Sequence, residues 1–409
     1  MGQRTTDFIY ENRAWLASGA MLTFLSSFGQ TFFVSVFSGE IQATFELSHS
    51  AWGLIYTAGT MASAGVMLFA GLLSDHYRVK ALGAVCLAGV AGACLFMAAV
   101  PVWWLLPLAI FFLRFFGQGM TSHVATVAMA RWFVKTRGRA LAAASLGYSV
   151  GEAFLPMVFV ALITVLPWRS LWVCSAVLCL IAIPLLRRLL VVERTPQSIA
   201  QDPQSVGMAG AHWARARALR HPLFWCLVPA ILGPSAFVTA VFFQHAFIAE
   251  VKGWTHFELV ALFPFFTAGG VISLVVTGFL IDRFGTSRLV PFFQLPFALG
   301  FFFMSQTTSL SLAGLSLALM GLSAGANATI PPAFLAEFYG TRHLGGLKAV
   351  ATALMVLGSA IGPGLTGVLI DEGEPKSAQL TGMAIYFLAT SVVIAAAVSV
   401  FRRDLPATA

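Results

Sequence analysis

Two charged residues stand inside stretches that are otherwise apolar. Residues 114–156 read RFFGQGMTSHVATVAMARWFVKTRGRALAAASLGYSVGEAFLP, two apolar runs joined by a basic turn. Arg114 lies in the first run and Glu152 in the second. A guanidinium can grip a carboxylate through paired N–H donors. A buried carboxyl can load and release a proton when burial and a nearby cation compete over its charge. Counted outward from the middle of the 130–138 turn, Arg114 lies roughly 20 residues away and Glu152 about 18. At 1.5 Å per residue the two differ by only a few Å in height on neighbouring antiparallel helices, so a salt bridge is feasible. Arg114, Gln118 and Thr121 share one helical face by the i, i+4, i+7 rule, and Ser145, Tyr148 and Glu152 share another. His123 faces a different surface. Glu152 has three open readings: proton carrier of a symporter, fixed counter-ion of Arg114, or direct partner of a cationic substrate. Arg114 has two: holder of an anionic carboxylate, or structural partner of Glu152.

The elements that must position this pair follow from composition. The chain has 409 residues, 58% apolar and only 10% charged, where soluble proteins carry about 25% charged residues. Twelve apolar spans are expected at 14–37, 51–73, 80–99, 103–129, 139–162, 168–188, 222–247, 258–281, 289–306, 310–333, 346–370 and 379–400. Each is long enough to cross a ~30 Å hydrocarbon core as a helix. A helix is required because lipid offers the backbone no hydrogen-bond partner. With the N-terminus inside, 20 of the 24 Lys and Arg fall in cytoplasmic segments. Only Arg169, Lys252 and Lys376 fall in outer loops, so both termini are expected in the cytoplasm. The net charge of +8 is therefore topological and does not mark a nucleic-acid surface. Trp52, Trp103, Trp104, Trp168 and Trp254 fall at outer span ends, as an aromatic belt would. The N-terminus lacks a cleavable signal pattern.

Domain organisation follows the longest break. Residues 1–188 and 222–409 form two six-span halves, joined by a polar cytoplasmic linker over 189–221. Arg215, Arg217 and Arg220 beside Trp213 read either as a short amphipathic helix on the inner leaflet or as a solvated linker. The halves repeat. Gly71 and Asp75 match Gly278 and Asp282, and Phe133, Thr136 and Arg137 match Phe338, Thr341 and Arg342. Glycine pairs Gly147/Gly151 and Gly358/Gly362 follow in spans five and eleven, spaced for close helix approach. Pro156 and Pro363 can kink those helices. A substrate site then belongs near the midplane, at the interface of the halves.

The five cysteines carry no CxxC and no ligand spacing, so no metal and no cofactor are implied. No phosphate-binding loop, HExxH or GxSxG is present, and no soluble catalytic domain; the expectation is a transporter and not an enzyme.

At the repeated loops the chain resembles the major facilitator superfamily, over nearly its whole length. The signature G-x-L-x-D-R-x-G-R-K is carried by Gly278, Leu280, Asp282, Arg283 and Gly285, and by Gly71, Leu73, Asp75 and Lys80 in the first half, where His76, Arg78 and Val79 depart from it. The resemblance implies that Asp75, Arg78, Asp282 and Arg283 form cytoplasmic gate contacts. It also implies that spans one, four, seven and ten line a central cavity. Gln30, Gln118, Gln244 and Asn327 then join Arg114 and Tyr148 as candidate substrate contacts, and His245 joins Glu152 as a candidate proton site. Arg114 to Gly119, Trp132 to Ala140 and Gly358 to Asp371 are similar to the monocarboxylate-transporter-like and oxalate/formate branch. That branch's cationic residue in span eight has no counterpart in 258–281.

The expected function is proton-coupled alternating access for a small organic anion, a monocarboxylate, by a monomer in a bacterial-type inner membrane. Efflux of hydrophobic or cationic compounds is the alternative. A non-transporting sensor or assembly protein on the same fold is a third.

Overall fold

The computed structural model describes residues 8–70, 73–133, 137–192, 207–211, 213–340, 344–401 and 403. Every regular element among them is helical. Among the described residues nine helices are long and apolar enough to cross a membrane. A bent pair, Arg13–Gly29 with Thr31–Phe45, adds a broken span. His49–Ala70 and the shorter apolar helix Leu295–Gln306 lie at the two remaining expected spans. The predicted limits hold within a few residues for most. Span nine is the exception: its regular helix begins only at Leu295, after a turn that contains Pro291. Span ten runs on to Tyr339 through Pro331 and Pro332.

The chain divides into two compact units, 1–200 and 201–409. Each is built on the same pairing. In the first unit, span one packs on span five, span two on span four, and span three on span six. In the second, span seven packs on eleven, eight on ten, and nine on twelve. The sequence repeat is thus a repeat of helix contacts. The glycine pairs make the first of these contacts in both units. A Cβ on Gly147 would lie 1.8 Å from the Ala20 carbonyl oxygen, and one on Gly362 would lie 2.1 Å from that of Ala236. Only glycine allows such backbone approach.

Prolines inside span seven release backbone acceptors, and other spans take them. Pro234 has no N–H for the Ala230 carbonyl. Gln294 Nε2, from the turn before span nine, donates there instead at 2.9 Å. Gln294 Oε1 in turn accepts from Thr390 Oγ1 of span twelve at 2.6 Å. Three spans are thereby pinned at one kink.

The outer ends correct two expectations. Trp103 and Trp104 are exposed, as belt residues would be, but Trp52 and Trp168 are buried. Trp52 Nε1 donates to Ser38 Oγ at 2.9 Å, so it serves packing and not an interface. Lys376 is not a loop charge: it is 3% exposed at the start of span twelve. At the cytoplasmic side Trp213 is also buried, with its amide bonded to the Tyr339 carbonyl at 3.0 Å. Its indole N–H donates to the Met208 carbonyl at 3.1 Å. Arg217 lies over its ring. Arg215–Ala218 forms a short helix with Arg215 and Arg217 exposed, while Trp213 belongs to the core of the second unit. Residues 193–206 and 212 of the linker lie outside the described residues.

Candidate functional site

The first span breaks where its polar residues cluster. Helix Arg13–Leu25 tightens into a 3₁₀ turn at Ser26–Gly29, and Gln30 is extended, at φ −85° and ψ 154°. Helix resumes at Thr31, and the two parts meet at 49°. In a continuous helix the Phe33 amide would bond the Gly29 carbonyl. Here it bonds the Gln30 carbonyl at 3.1 Å. The Gly29 oxygen is left over in an apolar setting, where an unpaired acceptor is costly.

Arg114 takes that oxygen. Its Nη1 lies 3.3 Å from Gly29 O and 3.2 Å from Thr31 Oγ1. The guanidinium sits over the Tyr56 ring at 5.4 Å, and the Tyr56 hydroxyl meets Thr31 Oγ1 at 2.5 Å. Arg114 is 1% exposed, and its Nε has no partner. The segment that carries it, Leu113–Thr121, is a π-helix. Such a widened turn inside an α-helix is frequent at functional sites. Its i→i+5 repeat shows in the Thr121 hydroxyl, which bonds the Phe116 carbonyl at 2.6 Å. The expected alignment of Arg114, Gln118 and Thr121 assumed a 3.6-residue turn and does not apply there. Gly117 lets this segment lie against the break: a Cβ on it would stand 2.7 Å from the Gly29 Cα.

Glu152 is not among the partners of Arg114. Its carboxylate Oε1 accepts from the Tyr148 hydroxyl at 3.1 Å. Tyr148 packs edge-on against Phe32 at 5.7 Å. The two charges thus take different partners: Arg114 the break in span one, and Glu152 the Tyr148 hydroxyl one turn away in its own helix. Gln30 is buried and makes no side-chain hydrogen bond to the described protein; Gln118 is half-buried. Ser27, Ser35 and Thr60 add buried hydroxyls with no partner. The first unit thus holds more polar capacity than its own groups satisfy.

In the second unit the candidates separate. Asn327 Oδ1 is buried with no partner. Gln244 Oε1 is taken by Lys376 Nζ, whose other bond goes to Gln379 Oε1 at 3.2 Å. Span seven ends at Phe243, and a short helix resumes at His245. His245 Nδ1 is 2.8 Å from the Phe242 carbonyl, and its Nε2 is 2.5 Å from Nε2 of His256. The gate candidates are partly described. The Arg78 backbone precedes span three with its side chain exposed, and the exposed Arg283 lies over Phe284. The side chains of Asp75 and Asp282 lie outside the described residues. His123 is remote from Arg114 and meets Ser74 at 3.2 Å.

Four residues escaped the sequence reading. Tyr56 and Thr31 complete the Arg114 setting, and His256 completes the His245 pair. Glu337, at the end of span ten, accepts from both the amide and the hydroxyl of Thr286, at 2.8 and 2.6 Å. An acid at a cytoplasmic span end facing a repeated loop was the available signal for Glu337. The others had none, because their partners lie on other spans. Among the described residues no group of three or more His, Cys, Asp or Glu could hold a metal ion.

Comparison with known proteins places this geometry in a family. A bacterial homolog of the human lysosomal transporter Spinster, in an inward-facing and unoccupied conformation, has the same fold, with a TM-score of 0.71 at 16% identity. The likeness covers 97% of this chain and 98% of that one. A mutant of nucleoside transporter NupG gives a TM-score of 0.70 at 14% identity, over 95% of this chain and 99% of that one. "Probable plastidic glucose transporter 1" from Arabidopsis thaliana is 32% identical over 99 residues. That match covers 24% of this chain and spans 19% of the relative's length. The Major Facilitator Superfamily profile matches residues 19–292 and 265–409. Two like-paired units, twelve spans and a profile match over nearly the whole sequence lead to one conclusion: the chain belongs to the Major Facilitator Superfamily, as a multi-pass membrane transporter and not an enzyme.

Proposed function

We propose that the chain is a secondary transporter for a small organic anion, a monocarboxylate, coupled to protons and working by alternating access. One observation carries this reading. Arg114 is a buried cation whose partners are all neutral: a carbonyl, a hydroxyl and an aromatic face. Buried charges are costly without a counter-charge. A substrate carboxylate is the group that would supply it, through the unpartnered Nε. Tyr148, Gln118 and Gln30 stand as further contacts from the first half. Asn327 stands as one from the second, and Gln244 as one that must first leave Lys376. Glu152 is the proposed coupling carboxyl, with its Oε1 accepting from Tyr148. His245 is a second proposed proton site. Asp75, Arg78, Asp282 and Arg283 are the proposed cytoplasmic gate. The halves 1–188 and 222–409, joined by 189–221, are the two parts of the proposed alternating-access cycle. The protein works as a monomer in a bacterial-type inner membrane.

Efflux of a hydrophobic or cationic compound is the second reading. It draws on Glu152, half-buried and bonded to Tyr148, whose ring packs on Phe32.

The deciding experiment is a thermal-shift screen of purified protein against short organic acids and hydrophobic cations. A ligand at a hundred times its dissociation constant stabilises by about 2.7 kcal/mol. Acids are expected to raise the midpoint in the wild type and not in Arg114→Gln. Shifts from cations that Glu152→Gln abolishes would favour efflux. Acid shifts that survive in Arg114→Gln would remove Arg114 from the site.

A further inference from the structure

The two-ring contact between His245 and His256 fixes its own protonation. A carbonyl oxygen only accepts, so the 2.8 Å contact with Phe242 O requires a hydrogen on His245 Nδ1. In the neutral ring Nε2 then carries a lone pair. His256 Nε2, 2.5 Å away, must supply the hydrogen between the rings. We propose that His245 and His256 form one proton-binding site at the outer end of the second unit, with His256 exchanging with water and His245 as the buried acceptor. This rests on the reading that the transporter is driven by protons and gives that reading an entry point other than Glu152.

The surroundings suit a site that takes one proton and not two. His245 is fully buried against Phe263, with ring centroids 5.5 Å apart, while His256 is only half-buried. A first proton can enter on the free Nδ1 of His256 and leave the inter-ring bond intact. A second would have to sit on His245 Nε2 and would set two N–H groups head to head. Paired groups this close titrate as a unit. The charged side chains on the elements around the pair are engaged elsewhere or turned outward. On the same short helix, Lys252 donates to the Ser305 carbonyl at 2.8 Å, and Glu250 is exposed. At the start of span eight, Glu258 closes a capping box with Thr255. At the start of span twelve, Lys376 is held by Gln244 and Gln379. None of these four bonds to either ring.

Location gives the proton leverage. His245 opens the short helix after the break at Gln244, and His256 opens span eight. The inter-ring bond therefore ties the broken outer end of span seven to its neighbour. Lys376 holds the same break through Gln244. A positive charge on the pair would stand one residue away from Gln244, whose side chain holds the buried Lys376 Nζ. Protonation of the pair would thereby bear on the break and favour opening of the outer end when outside pH falls.

The test uses full-length protein with ¹⁵N-labelled histidine, assigned by single His→Gln variants. Expected is an Nδ1–H tautomer at His245 throughout and one shared protonation step for the two rings. In His256→Gln, which keeps a donor but cannot load a proton, the step should vanish. In proteoliposomes the acid limb of uptake against external pH should then move by about one pH unit or more. Two rings that each take a full proton independently would overturn the site. So would His256→Gln with unchanged His245 signals. The spectra read the pair even if no organic acid is carried, so failure of the substrate assignment is seen separately.

Discussion

Ser323 and Asn327 sit one turn apart in span ten and have opposite roles. Ser323 Oγ donates to the Phe293 carbonyl at 2.8 Å and accepts from the Phe297 amide at 2.9 Å, fully buried. It closes the start of the short helix in span nine, so Ser323→Ala strands two backbone groups. Leaving buried groups unsatisfied costs about 1–3 kcal/mol. Ser323→Ala is expected to lower the thermal midpoint of the purified protein and to leave substrate affinity alone. Asn327→Ala removes an oxygen that has no partner. Its midpoint should be unchanged or higher while substrate KM rises. The reverse pattern in the two variants would move Asn327 out of the site. Residue types were legible in the sequence at both positions, and partners were not. Lys376 shows why: counting charges placed it outside, but its nitrogen is held by Gln379 one turn on in its own helix and by Gln244, 132 positions away at the break after span seven.

At the scale of elements, the break in span one and the π-helix in span four support each other. The break frees a carbonyl, the widened turn presents a guanidinium to it, and the Gly29–Gly117 contact brings both backbones together. Gly117→Ala must push the segments apart, since its Cβ would fall 2.7 Å from a main-chain carbon that cannot rotate away. Overpacking of this kind costs about 1–3 kcal/mol. The expected outcome is a lower thermal midpoint together with loss of ligand-induced shift, because Arg114 rides on the same segment. Gly92→Ala in span three meets nothing within 4 Å and serves as the control. There the expected change is a gain of up to about 1 kcal/mol from helix propensity. Equal losses in both variants would show that the contact is not special. Twelve spans, the repeat and the glycine pairs could be read from hydropathy and spacing. The break could not: no proline lies within Ser26–Gln30, and the carbonyl that makes it tolerable is satisfied from a residue 85 positions away. The π-helix had no local signature either. It packs against that break, and helical faces drawn with an ideal period go wrong where the site is.

On the whole molecule the duplication of helix pairing contrasts with an unequal distribution of polar groups. Each unit pairs its six spans identically and has its own compact set of contacts. The first holds Arg114, Tyr148 and Glu152; the second holds the histidine pair and Lys376. If the units are folding units, covalent continuity should matter for assembly and not for the chemistry. Co-expression of 1–200 and 201–409 as separate chains tests this. The second fragment keeps the stretch from Gly207, which Trp213 roots into its core through Tyr339. Cutting farther on, between Trp213 and Pro222, would remove that anchor and is expected to destabilise the second unit. The two chains should copurify from the membrane, restore uptake and respond to Arg114→Gln as the intact protein does. Either fragment alone should insert without transporting, since neither carries both the guanidinium and Asn327. Uptake by one fragment alone would place the site within a single unit. Copurification without uptake would mean that the junction itself takes part in the transport cycle.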